Sequence, residues 1–207
     1  MKFIEFRKNI EEIPLFQTKE IRLILGDKFT KSFLNNLKNW QKQDYLIKVR
    51  KGFYYPDDLK TATNPITLAS KIYYPSYVSL ESALGYYGII PEAVFSITSV
   101  TTRKTKYFTN EYFGKFIYKK IKKEAFGGFV TQQEKNVSFN LAVPEKALVD
   151  FFYLNRNILD GTREQFEGYR FNEDFRYDKE KLLGFAKCFK NKKVLRLTEN
   201  FIQYYAS

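Results

Sequence analysis

The chain has 207 residues, 44% of them hydrophobic, which allows one large domain or two small ones with packed cores. Lys and Arg number 35 against 23 Asp and Glu, a formal charge of +12 that points to an anionic partner such as nucleic acid, with a lysine- and tyrosine-rich composition bias as the competing explanation. With no histidine and a single cysteine, Cys188, imidazole general-base chemistry, Ser-His-Asp triads, histidine-bearing zinc sites and internal disulfides are excluded.

Cys188 reads as a packing residue in a reducing compartment. The start "MKFIEFRKNI" carries charges every few residues and no run of about 18 apolar residues follows, so a cytoplasmic protein without a membrane segment is expected.

Three helices are predicted first. Lys2 to Ile10 sets Phe3, Phe6 and Ile10 at helical spacing before the break at "EEIPLF". The second starts at Thr18 as N-cap, has Glu20 in its first turn, turns Ile21, Ile24 and Leu25 inward and ends at Gly26. The third, Thr30 to Gln43, has Thr30 as cap and Phe33, Leu34, Leu37 and Trp40 as its apolar stripe. Its other side carries Lys31, Ser32, Asn35, Asn36, Lys38, Asn39 and Lys42, polar without an acid. "YLIKVRKGFYYP" then reads as a hairpin turning at Lys51-Gly52.

A linker is expected over "DDLKTATNP", Asp57 to Pro65, with its Asn-Pro turn signal. Beyond it, "ITLASKIYYPSYVSLESALGYYGIIPEAVF" predicts a helix, a break at Pro75-Ser76, and a second helix capped by Ser79 and closed by Gly88. Strands are predicted at about 94–102, 116–121, 129–131 and 137–142, with a hinge-like Gly127-Gly128. "VPEKALVDFFYL" restores helical spacing, with Pro144 at a first helical position. The 155–177 stretch has no clear pattern, and "DKEKLLGFAKCF" and "NKKVLRLTENFIQYY" predict two closing helices.

Three helices followed by a two-stranded ribbon make a winged helix-turn-helix, whose third helix enters the major groove while the ribbon touches the backbone. Ile47 and Val49 would then face the helices, with Lys48 and Arg50 on the free side and Lys51 at the tip. Between Lys28 and Lys51 lie seven cations and one acid, Asp44, a local net of +6. Asn and Ser can bond base edges while the interleaved Lys meet phosphates. About six phosphate contacts would give a log–log salt slope near −5. The bland alternative is a small helical subdomain with solvated lysines. A second basic run, Arg103 to Lys123, has eight cations against Glu111, a net of +7, and reads as an extended DNA footprint, an RNA or acidic-protein contact, or a lysine-guarded strand edge.

No catalytic, metal or cofactor constellation emerges. The adjacent acids of "PDDLK" sit in the expected linker, no glycine-rich phosphate loop occurs, and Lys146 with Asp150 at i and i+4 reads as a surface or half-buried ion pair.

"LIKVRKGFYY", "IYYPSYVSLESALGYYGIIPE" and "LAVPEKALVDFFYL", in this order, resemble the AbiEi-like antitoxins of type IV toxin–antitoxin and abortive-infection systems over about residues 15 to 154. The resemblance implies an α+β protein: a winged helix-turn-helix at 1–58, then a mixed α/β antitoxin domain at 65–207 with a small sheet and C-terminal helices. It implies a non-enzymatic autorepressor, bound as two copies to an inverted repeat in its operator DNA, that counteracts a nucleotidyltransferase-like toxin. Carried over, Lys31, Ser32, Asn35, Asn36 and Asn39 become groove readers and Lys48, Arg50 and Lys51 wing contacts, while Lys38 and Lys42 keep the phosphate role read from the helix pattern. Tyr77, Ser79, Ser82, Pro144, Glu145, Lys146 and Asp150 match the antitoxin-domain signature, although their helix-start pattern favours a structural role over an antitoxin surface. Where relatives often carry histidine, this chain has Tyr87. The alternatives are a solitary winged-helix regulator and an interaction protein whose basic second domain binds the toxin or RNA.

Overall fold

The computed structural model describes residues 1–11, 13–91, 96–134 and 137–205. Its first helices follow the pattern of the sequence closely. Helix α1 spans Phe3–Asn9, and α2 spans Thr18–Leu25. Gln17, not Thr18, is the cap of α2: it is paired with Phe53 in the short strand β1 (Phe16–Gln17), which holds it extended, and its amide donates to the Glu20 carboxylate at 2.6 Å in a capping box. Helix α3 spans Lys31–Lys42, and the Thr30 hydroxyl accepts the Phe33 amide at 3.3 Å as expected of an N-cap. Phe6, Phe16, Ile21, Leu25, Phe33, Leu37 and Trp40 close a smaller core built largely of aromatic contacts, with the Phe6 and Trp40 rings stacked at 5.0 Å. Ile24 does not join it; this residue is 42% exposed, because only Ile21 and Leu25 fall on the inward stripe of so short a helix.

Strands β2 (Leu46–Arg50) and β3 (Phe53–Pro56) form the expected hairpin, and with β1 they make a three-stranded sheet in the order β1-β3-β2. Both faces of this ribbon are covered. Leu46 and Tyr54 pack on the smaller core, whereas Ile47, Val49, Phe53 and Tyr55 belong to a larger core formed with the rest of the chain. Ile47 and Val49 therefore face away from the three helices, contrary to the expected parity. The expected linker is ordered as well: residues Asp57–Ala62 form a 3-10 turn, with the Arg7 guanidinium 3.5 Å from the Asp58 carboxylate.

A 3-10 turn (Pro65–Leu68) and helix α4 (Ala69–Ile72) lead to a mixed six-stranded sheet. Its strands are β4 (Ser76–Val78), β5 (Ser96–Thr101), β6 (Lys106–Asn110), β7 (Gly114–Lys120), β8 (Phe129–Glu134) and β9 (Val137–Ala142), in the order β6-β7-β5-β4-β9-β8. The β5/β7 and β4/β9 pairs are parallel and the others antiparallel. The predicted strand at 94–102 begins at Ser96 among the described residues; positions 94 and 95 lie outside them.

Helices α5 (Leu80–Tyr86) and α6 (Pro144–Asn155) contribute Leu80, Ala83, Leu84, Ala147, Leu148 and Phe152 to the larger core. The 155–177 region contains α7 (Arg163–Gly168), and α8 (Lys179–Cys188) and α9 (Lys192–Tyr204) complete the chain as predicted. The architecture is thus α+β, with a small sheet, a larger sheet and C-terminal helices. Cys188 is exposed rather than packed. Among the described residues no helix is long and apolar enough to cross a membrane.

Candidate nucleic-acid interface

Helical periodicity divides α3 cleanly. Phe33, Leu37 and Trp40 are buried, and Lys31, Ser32, Asn35, Lys38, Asn39 and Lys42 are exposed on the opposite side. Asn36 lies on the flank nearest the chain start, where its amide donates to the Met1 carbonyl oxygen at 3.4 Å, so it is half-buried and partly engaged. Leu34, expected in the apolar stripe, sits instead at the margin of the exposed side. There it helps line a shallow hollow of about 350 Å³ with Thr18, Lys31, Asn35, Lys38 and Tyr54.

Tyr54 links this helix to the ribbon. It stacks on Phe16 at 5.8 Å and is the cross-strand partner of Lys48. Lys48 is exposed and lines a hollow with Gln41 and Asp44 at the end of α3 and with Thr109 and Glu111 from the larger sheet's edge hairpin. The asparagine-and-lysine side of α3 and the Lys48 side of the ribbon thus lie together. Lys51 is exposed at the hairpin tip, where Gly52 takes a φ of 83° that favours glycine.

Arg50 is placed differently from the expectation. The ladder registers Lys48 with Tyr54 but Arg50 with Phe53, so one extra residue, Val49, is accommodated by a bulge. The bulge breaks strict alternation and turns the Arg50 side chain toward the larger core. Its guanidinium donates to the Ile72 carbonyl oxygen and lies 4.8 Å from the Phe53 ring centroid and 4.7 Å from that of Phe108. Partial burial lowers its pKa, against which the Tyr118 hydroxyl acts in the opposite direction. Arg50 is a structural tie, not a free wing contact. The Asn110 amide also caps the outer edge of β2, donating to the carbonyl oxygens of Lys48 at 3.1 Å and Val49 at 3.3 Å.

Most of the second-half residues singled out by the resemblance converge inside the protein. Asp150 and Lys146 are 0% and 1% exposed and form an ion pair on one turn of α6, not a surface pair. The Asp150 carboxylate also accepts the Tyr77 hydroxyl at 2.9 Å and the Ser79 hydroxyl at 2.8 Å. Burial pushes the Asp150 carboxyl up, opposed by Lys146 and the two hydroxyls, and pushes the Lys146 ammonium down, opposed chiefly by Asp150. Tyr77 is raised well above the usual phenol range by burial, then by the Asp150 charge. Ser79 gives its hydroxyl to Asp150, so it does not cap α5 through its side chain as expected.

The remaining residues of that set are distributed around this cluster. The Ser82 hydroxyl accepts the Thr98 amide at 2.8 Å and donates to the Ser96 carbonyl oxygen, fastening α5 to β5. Pro144 opens α6, and the Glu145 carboxylate accepts the Asp178 amide at 3.0 Å, holding the start of α8. Tyr87, at the end of α5, is half-buried with its pKa raised chiefly by that burial. Sequence reasoning missed Tyr54 as a neighbour of α3; its signal was the period-2 alternation of "FYY" against the helices. Compared with models of known protein families and with curated proteins, the sequence finds no match.

Proposed function

We propose that the protein is a sequence-specific DNA-binding repressor of the AbiEi-like antitoxin kind. In this reading the helices and ribbon of residues 1–58 act as a winged helix-turn-helix on an inverted repeat in its own operator. Ser32, Asn35 and Asn39 meet base edges, while Lys31, Lys38, Lys42, Lys48 and Lys51 meet phosphates. Two copies on the repeat would block transcription by occupancy. The observation that carries this reading is the exposed, acid-free face of α3 lying beside Lys48. The antitoxin role, against a nucleotidyltransferase-like toxin, rests on the likeness of "IYYPSYVSLESALGYYGIIPE" and "LAVPEKALVDFFYL". The buried Asp150–Lys146–Tyr77–Ser79 cluster supports a scaffold role for those segments, which leaves catalysis out of the proposal.

The test is a titration of the full chain against DNA upstream of its own reading frame and against a scrambled duplex, each over a series of salt concentrations. Tighter binding to the upstream DNA, with a log–log salt slope of about −4.5 per bound copy for five lysines at about 0.9 each, supports the repressor reading. Equal affinity for both duplexes contradicts it. Co-expression with an adjacent nucleotidyltransferase-like reading frame tests the antitoxin half, which growth inhibition unrelieved by this chain would overturn.

A further inference from the structure

The second basic run folds as a β-ribbon whose two faces differ. Strand β6 pairs with β7 so that Tyr107 stands opposite Ile117 and Thr109 opposite Lys115. Side chains alternate along each strand, which divides the residues between two sides of the sheet. Phe108 packs against Tyr73 and lies under Arg50, on the side where the small ribbon is docked. Tyr107, Lys115, Ile117 and Lys119 therefore point to the other side, away from that junction. Helix α5 covers this second side over β5, through Ser82 and Thr98. At the β6 edge it is open: Tyr107 is 67% exposed, Thr109 and Lys115 are exposed, and Ile117 and Lys119 are half-buried.

The exposed Tyr107 ring offers a flat π face on which another planar group can stack. Here it lies between two lysines four residues apart on β7, about 13 Å by strand rise. Among the described residues neither lysine has a carboxylate partner. A flat ring over a half-buried aliphatic floor, flanked by unpaired cations along one strand, suits an unpaired base with its phosphates passing the lysines. A rigid duplex hides its base faces and could use only the charge. An acidic protein would use the lysines but has no need of the ring.

We infer that the open face of β6–β7, centred on Tyr107 between Lys115 and Lys119, binds single-stranded nucleic acid by stacking one base on the tyrosine. Thr109 of this face lines the hollow that holds Lys48, but Tyr107, Lys115 and Lys119 line neither hollow beside α3, so the tyrosine variants are read apart from the α3 variants of the repressor reading.

The experiment uses the full chain and a fluorescein-labelled 12-nucleotide single-stranded RNA, its DNA counterpart and a duplex of random sequence, followed by anisotropy at low salt. Tyr107→Ala is expected to weaken single-strand binding about tenfold or more, because one stacked base is lost, while Tyr107→Phe stays within about twofold of the parent. Lys115→Ala with Lys119→Ala should reduce the single-strand salt slope by about 1.4. Duplex affinity should be unchanged by Tyr107→Ala, and Asn35→Ala with Asn39→Ala should leave single-strand affinity unchanged. The exposed position of Tyr107 makes these variants foldable, which circular dichroism checks. The inference is overturned if no single strand binds, if Tyr107→Ala binds as the parent does, or if duplex binding falls equally. It is also overturned if poly-glutamate of equal charge competes as well as RNA, since the face would then recognise charge alone.

Discussion

Arg50 reaches out of the small ribbon and donates a hydrogen bond to the carbonyl oxygen of Ile72, at the end of α4. Two residues earlier, Lys48 on the same strand is exposed beside α3. A single bulge at Val49 separates a residue that ties the small ribbon to the larger core from one that stays exposed. Arg50→Ala should accordingly lower stability by about 2 kcal/mol, the range for a hydrogen bond to a charged group, and leave the salt slope of DNA binding unchanged. Lys48→Ala and Lys51→Ala should each do the reverse, with stability changed by less than about 0.5 kcal/mol and the slope reduced by about 1. Denaturant titrations and salt series on the three variants distinguish these behaviours.

Because the ribbon is covered on both sides, removing residues 1–60 would strip Leu15, Ile47, Val49, Phe53 and Tyr55 from the larger core. Each buried large apolar side chain is worth roughly 1.5–3 kcal/mol, so the remainder should lose its cooperative unfolding transition. A sharp thermal transition for residues 61–207 alone would contradict this account of the ribbon. The proposed DNA binding is better probed with the surface variants Asn35→Ala and Asn39→Ala in the full chain.

The Lys146–Asp150 pair should behave as a buried ion pair. Asp150→Ala leaves an unpaired buried ammonium and two hydroxyls without their acceptor, and should cost about 3–5 kcal/mol. Lys146→Met with Asp150→Asn should cost much less than the sum of the two single changes, which a double-mutant cycle of unfolding free energies measures.

Asp178 predicts a pH dependence. Its carboxylate accepts the Glu180 and Lys181 amides at the start of α8, bonds that hold its pKa below the usual carboxylate value. A depressed folded-state pKa gives stabilisation that is complete above the unfolded value of about 3.9 and is lost as pH falls through the folded one. The stability difference between the parent and Asp178→Asn should therefore be constant above about pH 5 and shrink in more acidic solution.

Helix α3 was legible because its apolar residues recur at helical spacing behind a Thr30 cap, and the same period exposes its asparagines and lysines. The parity of the ribbon was not. Ile47 and Val49 alternate correctly for a strand, but alternation cannot say which of two cores lies on which side, and the bulge that turns Arg50 has no glycine to announce it. Strand β6 was missed because "KYFTN" mixes exposed and half-buried residues at a sheet edge. Lys146 and Asp150 have the spacing of a surface pair. The contrary signal was the nearly all-round apolar pattern of "ALVDFFYL", which marks a helix enclosed by protein. The convergence of Tyr77 and Ser79 on Asp150 joins residues more than seventy positions apart, which no local pattern carries.

In the proposed repressor, the asparagines of α3 read sequence while the lysines around them supply charge. The most direct measurement is the ratio of affinities for the DNA upstream of the chain's own reading frame and a random duplex, taken for the parent, for Asn35→Ala with Asn39→Ala, and for Lys48→Ala with Lys51→Ala. At about 1–3 kcal/mol per base-edge contact, the asparagine pair should lower that ratio at least tenfold, and the lysine pair should weaken both duplexes while preserving it. An unchanged ratio in the asparagine variant would contradict the account.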